Sequence, residues 1–226
     1  MRIGVLPSAG RATRLNGIPK FLLPVSEDVQ CLLDLHVRLM RPFVDRIFIP
    51  TRPEWKALLE SFAFGEGVEI QAMETETMAE TLHRTLGSVS FDSCVLGMPD
   101  TYFVGGNPYR GLGEVEPGDL LLSVVPTRPE QSGRMGSVQV GEGNKVIKHA
   151  DKDPHRDYGW HWVAMEFSPA VLSRLEPLAS TGGYMIDEAL NSDSDVRAYQ
   201  LTEDYFDCGT FAEYLQCLAH LSLSND

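Results

Sequence analysis

Short apolar runs alternate with helix-length amphipathic segments through the first half of this 226-residue chain. The runs that predict strands are residues 3–6, 46–49, 68–72, 93–96 and 120–125. The segments that predict helices are residues 29–40, 53–62 and 78–86. Strands that alternate with helices of this length usually form a mostly parallel sheet covered on both faces. The pattern therefore predicts an α/β fold, a Rossmann-like mixed sheet with helices on both faces.

The second half predicts a hairpin instead of further alternation. Residues 137–140 and 146–149 are separated by Gly-Glu-Gly-Asn, a sequence typical of a turn between paired strands. Residues 160–167 predict another strand, with Trp160 and Trp162 on one face, where core packing is favoured over stacking on a sugar. Because no repeat or low-complexity linker interrupts the chain, we expect residues 1–226 to form one domain.

Three helix starts carry a capping-box pattern, in which a threonine is followed three residues later by a glutamate. The pairs are Thr51 with Glu54, Thr77 with Glu80, and Thr210 with Glu213. Each pair predicts that the threonine is the N-cap of a helix.

The charge of the chain argues against a nucleic-acid partner. With 19 basic and 32 acidic side chains the net charge is −13, which leaves little room for a basic stripe. Residues 1–20 nevertheless contain four basic side chains and no acidic one, and salt screens the field of the other charges beyond about 8 Å. We therefore expect a local anion site there. The four basic residues are Arg2, Arg11, Arg14 and Lys20.

The four cysteines show neither a CxxC motif nor the spacing of zinc ligands, so buried free thiols in a reducing compartment are expected. No stretch approaches the roughly 20 apolar residues that span a bilayer, and the opening lacks the apolar run of a signal peptide. We expect a cytoplasmic protein with no membrane partner.

A loop of small residues follows the first predicted strand, at the edge of the sheet where doubly wound folds bind ligands. Small residues let backbone N–H groups approach a phosphate closely, and Arg14 and Lys20 add positive charge. The loop lacks the three glycines of a dinucleotide-binding fingerprint and the Gly-Lys-Ser/Thr of a P-loop. It predicts a phosphate-binding loop of another kind.

This opening resembles the signature of the sugar-phosphate nucleotidyltransferases. The matching residues are Ala9-Gly10-Arg11-Ala12-Thr13-Arg14-Leu15, then Pro19-Lys20, then Leu23-Pro24-Val25. One departure is Ala12, which stands where the family usually has a second glycine and adds a methyl group beside the expected phosphate path. The resemblance implies the nucleotide-diphospho-sugar transferase type of fold, with residues 1–125 as the nucleotide-binding half and 126–226 as the acceptor-binding half.

Looser matches follow in the same order along the chain. Asp100 ends the segment Val-Leu-Gly-Met-Pro-Asp and resembles the family's first metal-binding aspartate, although Met-Pro intervenes. Asp207, in Asp-Cys-Gly-Thr, resembles the second. Gly136, in Arg-Met-Gly-Ser-Val, is similar to a sugar-contacting glycine, and Asp151-Lys152 falls where Glu-Lys-Pro is typical.

The resemblance implies transfer of a nucleotidyl group from a nucleoside triphosphate to a sugar 1-phosphate, with release of pyrophosphate and with Mg²⁺ on Asp100 and Asp207. A phosphate monoester is already an anion, so the reaction needs alignment and charge neutralisation and no general base. Magnesium commonly uses one or two carboxylates together with substrate phosphates. The implied roles are triphosphate binding for Ala9, Gly10, Arg11, Ala12 and Thr13, pyrophosphate contact for Arg14, contact with the reacting phosphates for Lys20, acceptor contact for Gly136, and acceptor-phosphate binding for Asp151 and Lys152.

Thr77 falls where the family places a glycine against the base, although a plain N-cap is favoured. Three alternatives stay open: another acceptor such as phosphocholine, a GT-A type glycosyltransferase, and a non-catalytic nucleotide-sensing relative suggested by Ala12 and Thr77. A glycosyltransferase needs a DxD motif, and Asp193-Ser194-Asp195 has that form but lies in a polar run that predicts a loop. The sequence leaves the base, the acceptor and the oligomeric state open.

Overall fold

The computed structural model describes residues 1–10, 15, 17–26, 28–179, 185–192 and 194–224. Its strands are β1 (Arg2–Val5), β2 (Arg46–Thr51), β3 (Val68–Ala72), β4 (Ser93–Gly97), β5 (Thr101–Phe103), β6 (Leu120–Pro126), β7 (Gly136–Val140), β8 (Val146–Asp151), β9 (Trp160–Phe167), β10 (Val196–Gln200) and β11 (Tyr205–Asp207). Its α-helices are α1 (Leu32–Met40), α2 (Pro53–Ser61), α3 (Met78–Leu86), α4 (Pro169–Ala179), α5 (Met185–Asn191) and α6 (Phe211–Ser224).

The large sheet has nine strands, and its main path runs β10-β6-β9-β4-β1-β2-β3. Strand β9 is antiparallel to both β4 and β6, and the other described strands of the path are parallel to one another. The hairpin β7–β8 joins the sheet through β9, as its turn sequence predicts. Strands β5 and β11 form a separate antiparallel ribbon. The predicted mixed α/β sheet is confirmed.

Helices cover both faces of this sheet because the strands are apolar on both sides. Ile3 and Val5 are buried in a cluster that includes residues of α3, α4 and α5. Ile47 and Ile49 point into a second cluster, which holds residues of α1 and of α2. Parallel strands that are buried on both faces have nearly continuous apolar sequences, so these strands could be predicted from the sequence.

The predicted helix start at Thr77 is confirmed, because its Oγ1 accepts a hydrogen bond from the N–H of Glu80 at 3.1 Å. The start predicted at Thr51 is wrong. Thr51 is the last residue of β2, paired with Ala72 of β3, and Arg52 is the N-cap of α2. Sheet pairing holds Thr51 in the strand, and Pro53 supplies the first helical residue with its φ already fixed.

The chain order creates a cleft at one edge of the sheet. Strand β1 lies between β2 and β4, so the chain leaves β1 on one side and later returns on the other. Such a switch point opens a crevice beyond the carboxyl ends of the two strands. The first loop and the segment after β4 both start at this edge.

Candidate active site

Lys20 and Asp100 meet in the cleft beyond β1 and β4. The Nζ atom of Lys20 lies 3.2 Å from Oδ2 of Asp100, and each side chain is about a quarter exposed (22% and 24%). Lys20 begins a 3₁₀ turn, Lys20–Leu22, whose Phe21 is buried under the sheet. Pro99 and Asp100 follow β4 and, with Gly10, line a cavity of about 180 Å³. The first loop and the end of β4 therefore share one charged site.

Asp207 reaches the same site from the far end of the chain. Strand β11 pairs Asp207 with Thr101, and the N–H of Cys208 donates to the carbonyl oxygen of Asp100 at 2.9 Å. Asp207 is buried, and burial followed by the charge of Asp100 raises its pKa to about 7, against an opposing effect of Lys20. Two carboxylates and an ammonium group thus converge, although Lys20 lies 80 residues before Asp100 and Asp207 lies 107 residues after it.

A buried histidine, His36, contacts the segment that follows Asp100. Nε2 of His36, in α1, lies 2.7 Å from the carbonyl oxygen of Thr101, and its Nδ1 lies 2.5 Å from the hydroxyl oxygen of Tyr109. Burial lowers the pKa of His36 to about 4, so the ring is neutral near neutral pH. A neutral ring donates from Nε2 to the carbonyl and accepts the tyrosine proton at Nδ1. Sequence reasoning missed His36, because a histidine within an amphipathic helix gives no signal of its long-range partners.

A larger cavity of about 390 Å³ adjoins the cleft and shares Pro7, Gly10 and Met98 with it. Thr77 and Lys152 both line this cavity, from α3 and from the end of β8. Lys152 adopts a left-handed backbone conformation with a φ of +50°, and its N–H donates to the carbonyl oxygen of Met135 at 3.1 Å.

The first loop reaches the larger cavity through Ala9 and Gly10. Ala9 is buried and Gly10 is exposed, and both line the larger cavity. The other candidates of this loop, namely Arg11, Ala12, Thr13 and Arg14, lie outside the described residues.

Gly136 and Asp151 are direct partners in the β7–β8 hairpin. A Cβ atom at Gly136 would lie 2.5 Å from Nε1 of Trp162, so the hairpin needs glycine there to make room for the indole. Trp162 in turn lines the larger cavity. Gly136 is therefore linked to the cavity through Trp162, and Asp151 directly precedes Lys152.

The DxD pattern lies elsewhere. Asp195 directly precedes β10, which is parallel to β6, so it sits at the amino end of the strand, opposite to the edge that holds the cleft. Its carboxylate accepts a 2.6 Å hydrogen bond from Nε of Arg197. Asp193 lies outside the described residues.

Comparison with solved structures gives several matches over almost the whole chain. One is a protein designated a glucose-1-phosphate thymidylyltransferase from Bacillus anthracis, in complex with sucrose, with a TM-score of 0.78, 17% identity, and coverage of 98% of this chain and 95% of that one. A second is the inositol-1-phosphate CTP transferase of T. maritima, with a TM-score of 0.75, 17% identity, and coverage of 98% and 96%. A third is a UDP-glucose pyrophosphorylase from Acinetobacter baumannii, with a TM-score of 0.73, 18% identity, and coverage of 99% and 94%.

The likeness is one of fold. The chain shares the nucleotidyltransferase fold with these proteins. No protein-family model matches the sequence, and no curated protein matches it significantly. The predicted fold type is confirmed by these matches.

The paired carboxylates fit a magnesium ion in this fold. Within the described ranges there is no group of three or more histidine, cysteine or acidic side chains that could enclose a metal. Magnesium does not need such a cage, because it keeps several waters and takes oxygen atoms from substrate phosphates. Burial, and after it the charge of Asp100, raises the pKa of Asp207, so ionising both carboxylates is unfavourable without a further positive charge. A divalent cation would supply that charge.

No helix in the described part of the chain is long and apolar enough to cross a membrane.

Proposed function

We propose that this protein is a cytoplasmic nucleotidyltransferase that transfers a nucleoside monophosphate from a triphosphate to a sugar 1-phosphate and releases pyrophosphate. The observation that carries the proposal is the meeting of Lys20, Asp100 and Asp207 at the switch point of this fold. The fold neighbours support it, since their names describe transfer of nucleotidyl groups to phosphorylated sugars or to inositol 1-phosphate.

In this reaction an oxygen of the acceptor phosphate attacks the α-phosphorus of the triphosphate. The new P–O bond forms as the bond to the bridging oxygen between the α- and β-phosphates breaks, and pyrophosphate leaves with that electron pair. The nucleophile is already an anion, so no side chain has to remove a proton. The protein must hold the two phosphates in line and offset their mutual repulsion.

Lys20 is suited to the second task, because a compact ammonium group at the carboxyl end of β1 can contact the reacting phosphates. Its present partner, Asp100, keeps it pointed into the cleft at 3.2 Å. Asp100 and Asp207 would hold Mg²⁺. A bound magnesium ion would neutralise charge on the α-phosphate and orient it.

The triphosphate loop would be formed by Ala9 and Gly10, together with Arg11, Ala12 and Thr13. Arg14 would contact the departing pyrophosphate. Thr77 would border the base from the start of α3, while its hydroxyl remains occupied as the N-cap of that helix.

Lys152 is proposed to hold the phosphate of the acceptor, with Asp151 and Gly136 as its neighbours in the hairpin. Its position on the same cavity as Gly10 supports this, because donor and acceptor phosphates must meet in one space. The glycosyltransferase alternative is weaker, since Asp195 is at the wrong edge of the sheet and is bonded to Arg197.

The test is a pyrophosphate-release assay with four nucleoside triphosphates and a panel of phosphorylated acceptors, with and without chelator. We expect strict dependence on a divalent cation. Asp100→Asn and Asp207→Asn should each lower kcat by at least about 100-fold, because charge stabilisation by a held metal is worth several kcal/mol.

Asp195→Asn is the matched control, and it should leave turnover near the wild-type value. Full activity of both cleft variants, or of the wild type in excess chelator, would refute the metal assignment. Loss of pyrophosphate release in the Asp195 variant alone would contradict the assignment of the active site to the cleft.

A further inference from the structure

The larger cavity has two walls. One wall comes from the first loop, from the residues before α3 and from α3 itself, and it carries three threonine hydroxyls beside apolar side chains. These residues are Thr75, Thr77, Thr81, Met78, Ala79 and Leu82. The other wall, called here the acceptor wall, lines the same cavity as Lys152 and comes from the residue after β4, from β9 and from α5. It consists of Met98, Trp162, Met165, Met185 and Ile186. Every side chain of the acceptor wall is apolar apart from the single indole N–H.

The hydroxyl groups opposite the acceptor wall are already engaged. Oγ1 of Thr75 and Oγ1 of Thr81 lie 2.6 Å apart, and Thr81 also donates to the carbonyl oxygen of Thr77. Oγ1 of Thr77 accepts from the N–H of Glu80. These bonds belong to the first turn of α3, and breaking them would loosen the helix start. The threonines therefore offer little to a ligand.

The indole nitrogen of Trp162 lies beside Gly136, where a Cβ atom would come within 2.5 Å of it. Among the described residues that line this cavity, the charged groups are Glu76 on the α3 side and Lys152 next to the acceptor wall. One ammonium group thus adjoins an apolar surface.

A sugar with several hydroxyl groups is a poor match for such a wall. Each hydroxyl that leaves water needs a hydrogen-bond partner, and a buried hydroxyl without one is costly. Burying apolar ligand surface against the acceptor wall is favourable instead, and methionine side chains adapt to the shape of that surface.

We infer that the acceptor is a phosphate monoester whose body next to the phosphate presents mainly C–H surface, such as a deoxygenated sugar phosphate or a methylated phospho-alcohol. This inference rests on the proposed function, in which Lys152 binds the acceptor phosphate. Lys152 holds the phosphate and the acceptor wall packs against the body of the molecule. The three methionines, the isoleucine and the indole ring select among acceptors by the cost of removing water from each acceptor's polar groups.

The test compares two probes with the same ring size and the same phosphate: cyclohexyl phosphate and glucose 1-phosphate. Binding of each to the full chain in magnesium is measured by isothermal titration calorimetry. We expect cyclohexyl phosphate to bind about 10- to 100-fold more tightly, the discrimination that an apolar pocket achieves against added hydroxyl groups. Equal or weaker binding of cyclohexyl phosphate, or binding of neither probe, overturns the inference.

Two matched variants locate the effect. Met185 and Met78 are the first residues of α5 and α3, and both line the cavity. Met185→Gln, on the acceptor wall, should reduce the preference for cyclohexyl phosphate by at least about threefold, since it adds a polar amide at similar length. Met78→Gln should leave the preference unchanged. A shift in Met78→Gln alone would put the ring against α3 and overturn the assignment of the acceptor wall.

The binding ratio also separates this inference from the proposed function. If no triphosphate and acceptor pair releases pyrophosphate, the enzymatic proposal fails, while the ratio still decides whether the wall selects apolar bodies. If pyrophosphate is released fastest with polyhydroxylated sugar phosphates, the enzymatic proposal stands and the inference alone is wrong.

Discussion

Replacing Asp207 with asparagine should make the metal-free protein more stable above neutral pH, although it removes a residue proposed to be essential for turnover. Asp207 is buried, with an exposed fraction of 6%, and burial followed by the charge of Asp100 raises its pKa to about 7 from an ordinary value of 3.8. The folded protein therefore binds this proton more tightly than the unfolded chain does.

The sign and size of the effect follow from that difference. A raised carboxyl pKa supports the folded state below about pH 4, and this support is lost as the pH rises to about 7. Each pH unit between the two pKa values is worth about 1.4 kcal/mol. Between about pH 5 and pH 8 the wild type should therefore lose about 2–3 kcal/mol relative to Asp207→Asn, which carries no titrating group there.

The assay is urea unfolding in chelator at both pH values, for the wild type, Asp207→Asn and Asp204→Asn. Asp204 is a fitting control because it lies near the same strand but its side chain is 82% exposed. We expect its variant to follow the wild type. Adding magnesium should stabilise the wild type at the higher pH, by about 2.7 kcal/mol at a hundred times its dissociation constant, and should affect Asp207→Asn much less.

Two results would refute this reasoning. If Asp207→Asn were no more stable than the wild type at about pH 8, the two carboxylates would not be in conflict. If its advantage were equal at both pH values, the change would act through packing or hydrogen bonds and not through charge.

Three further predictions concern Lys20, Gly97 and Lys152. Lys20→Ala should lower kcat and kcat/KM by similar factors in steady-state kinetics, and Lys20→Arg should not restore them, because a planar fork does not replace a compact charge; a change in KM alone would make Lys20 a ground-state contact. Gly97→Ala should destabilise the protein by about 1–3 kcal/mol in urea unfolding, since the added methyl would overlap the buried Tyr109; an unchanged midpoint would contradict this packing. Lys152→Ala should raise the KM of the acceptor about 10- to 100-fold and leave that of the triphosphate unchanged, because a charge-assisted bond is lost; equal effects on both substrates would indicate local damage.

The elements predicted well are those with strong local signals. Strand β3 and helix α3 were predicted at the bounds observed. An apolar run and an amphipathic pattern with a good N-cap both depend only on residues that are close in sequence. Helix α1 begins at Leu32, three residues later than its pattern suggested. The N–H of Leu32 instead bonds to the carbonyl oxygen of Leu23, a tertiary contact that propensity cannot foresee.

The sequence predicted which residues belong to the candidate site, but it did not predict how the fold brings them together. Lys20, Asp100 and Asp207 were each found through motif resemblance. Their convergence depends on the β5–β11 ribbon, whose strands have three residues each and are too short to give a periodic signal. The chemical character of the acceptor wall was equally hidden, because Trp162 and Met185 come together only through the order of the strands.

The central position of β9 has a consequence for the order in which the chain is made. Strands β4 and β6 leave the ribosome first, yet both bond to β9 and not to each other. Until residues 160–167 emerge, one edge of β4 and one edge of β6 have no strand to pair with. Unpaired edges of apolar strands promote aggregation. The carboxylate of Glu166, a fully buried residue of β9, also binds Arg2 and Ser93. Residues 1–125 therefore cannot complete their sheet by themselves, because the gap between β4 and β6 stays open until the later half of the chain supplies β9.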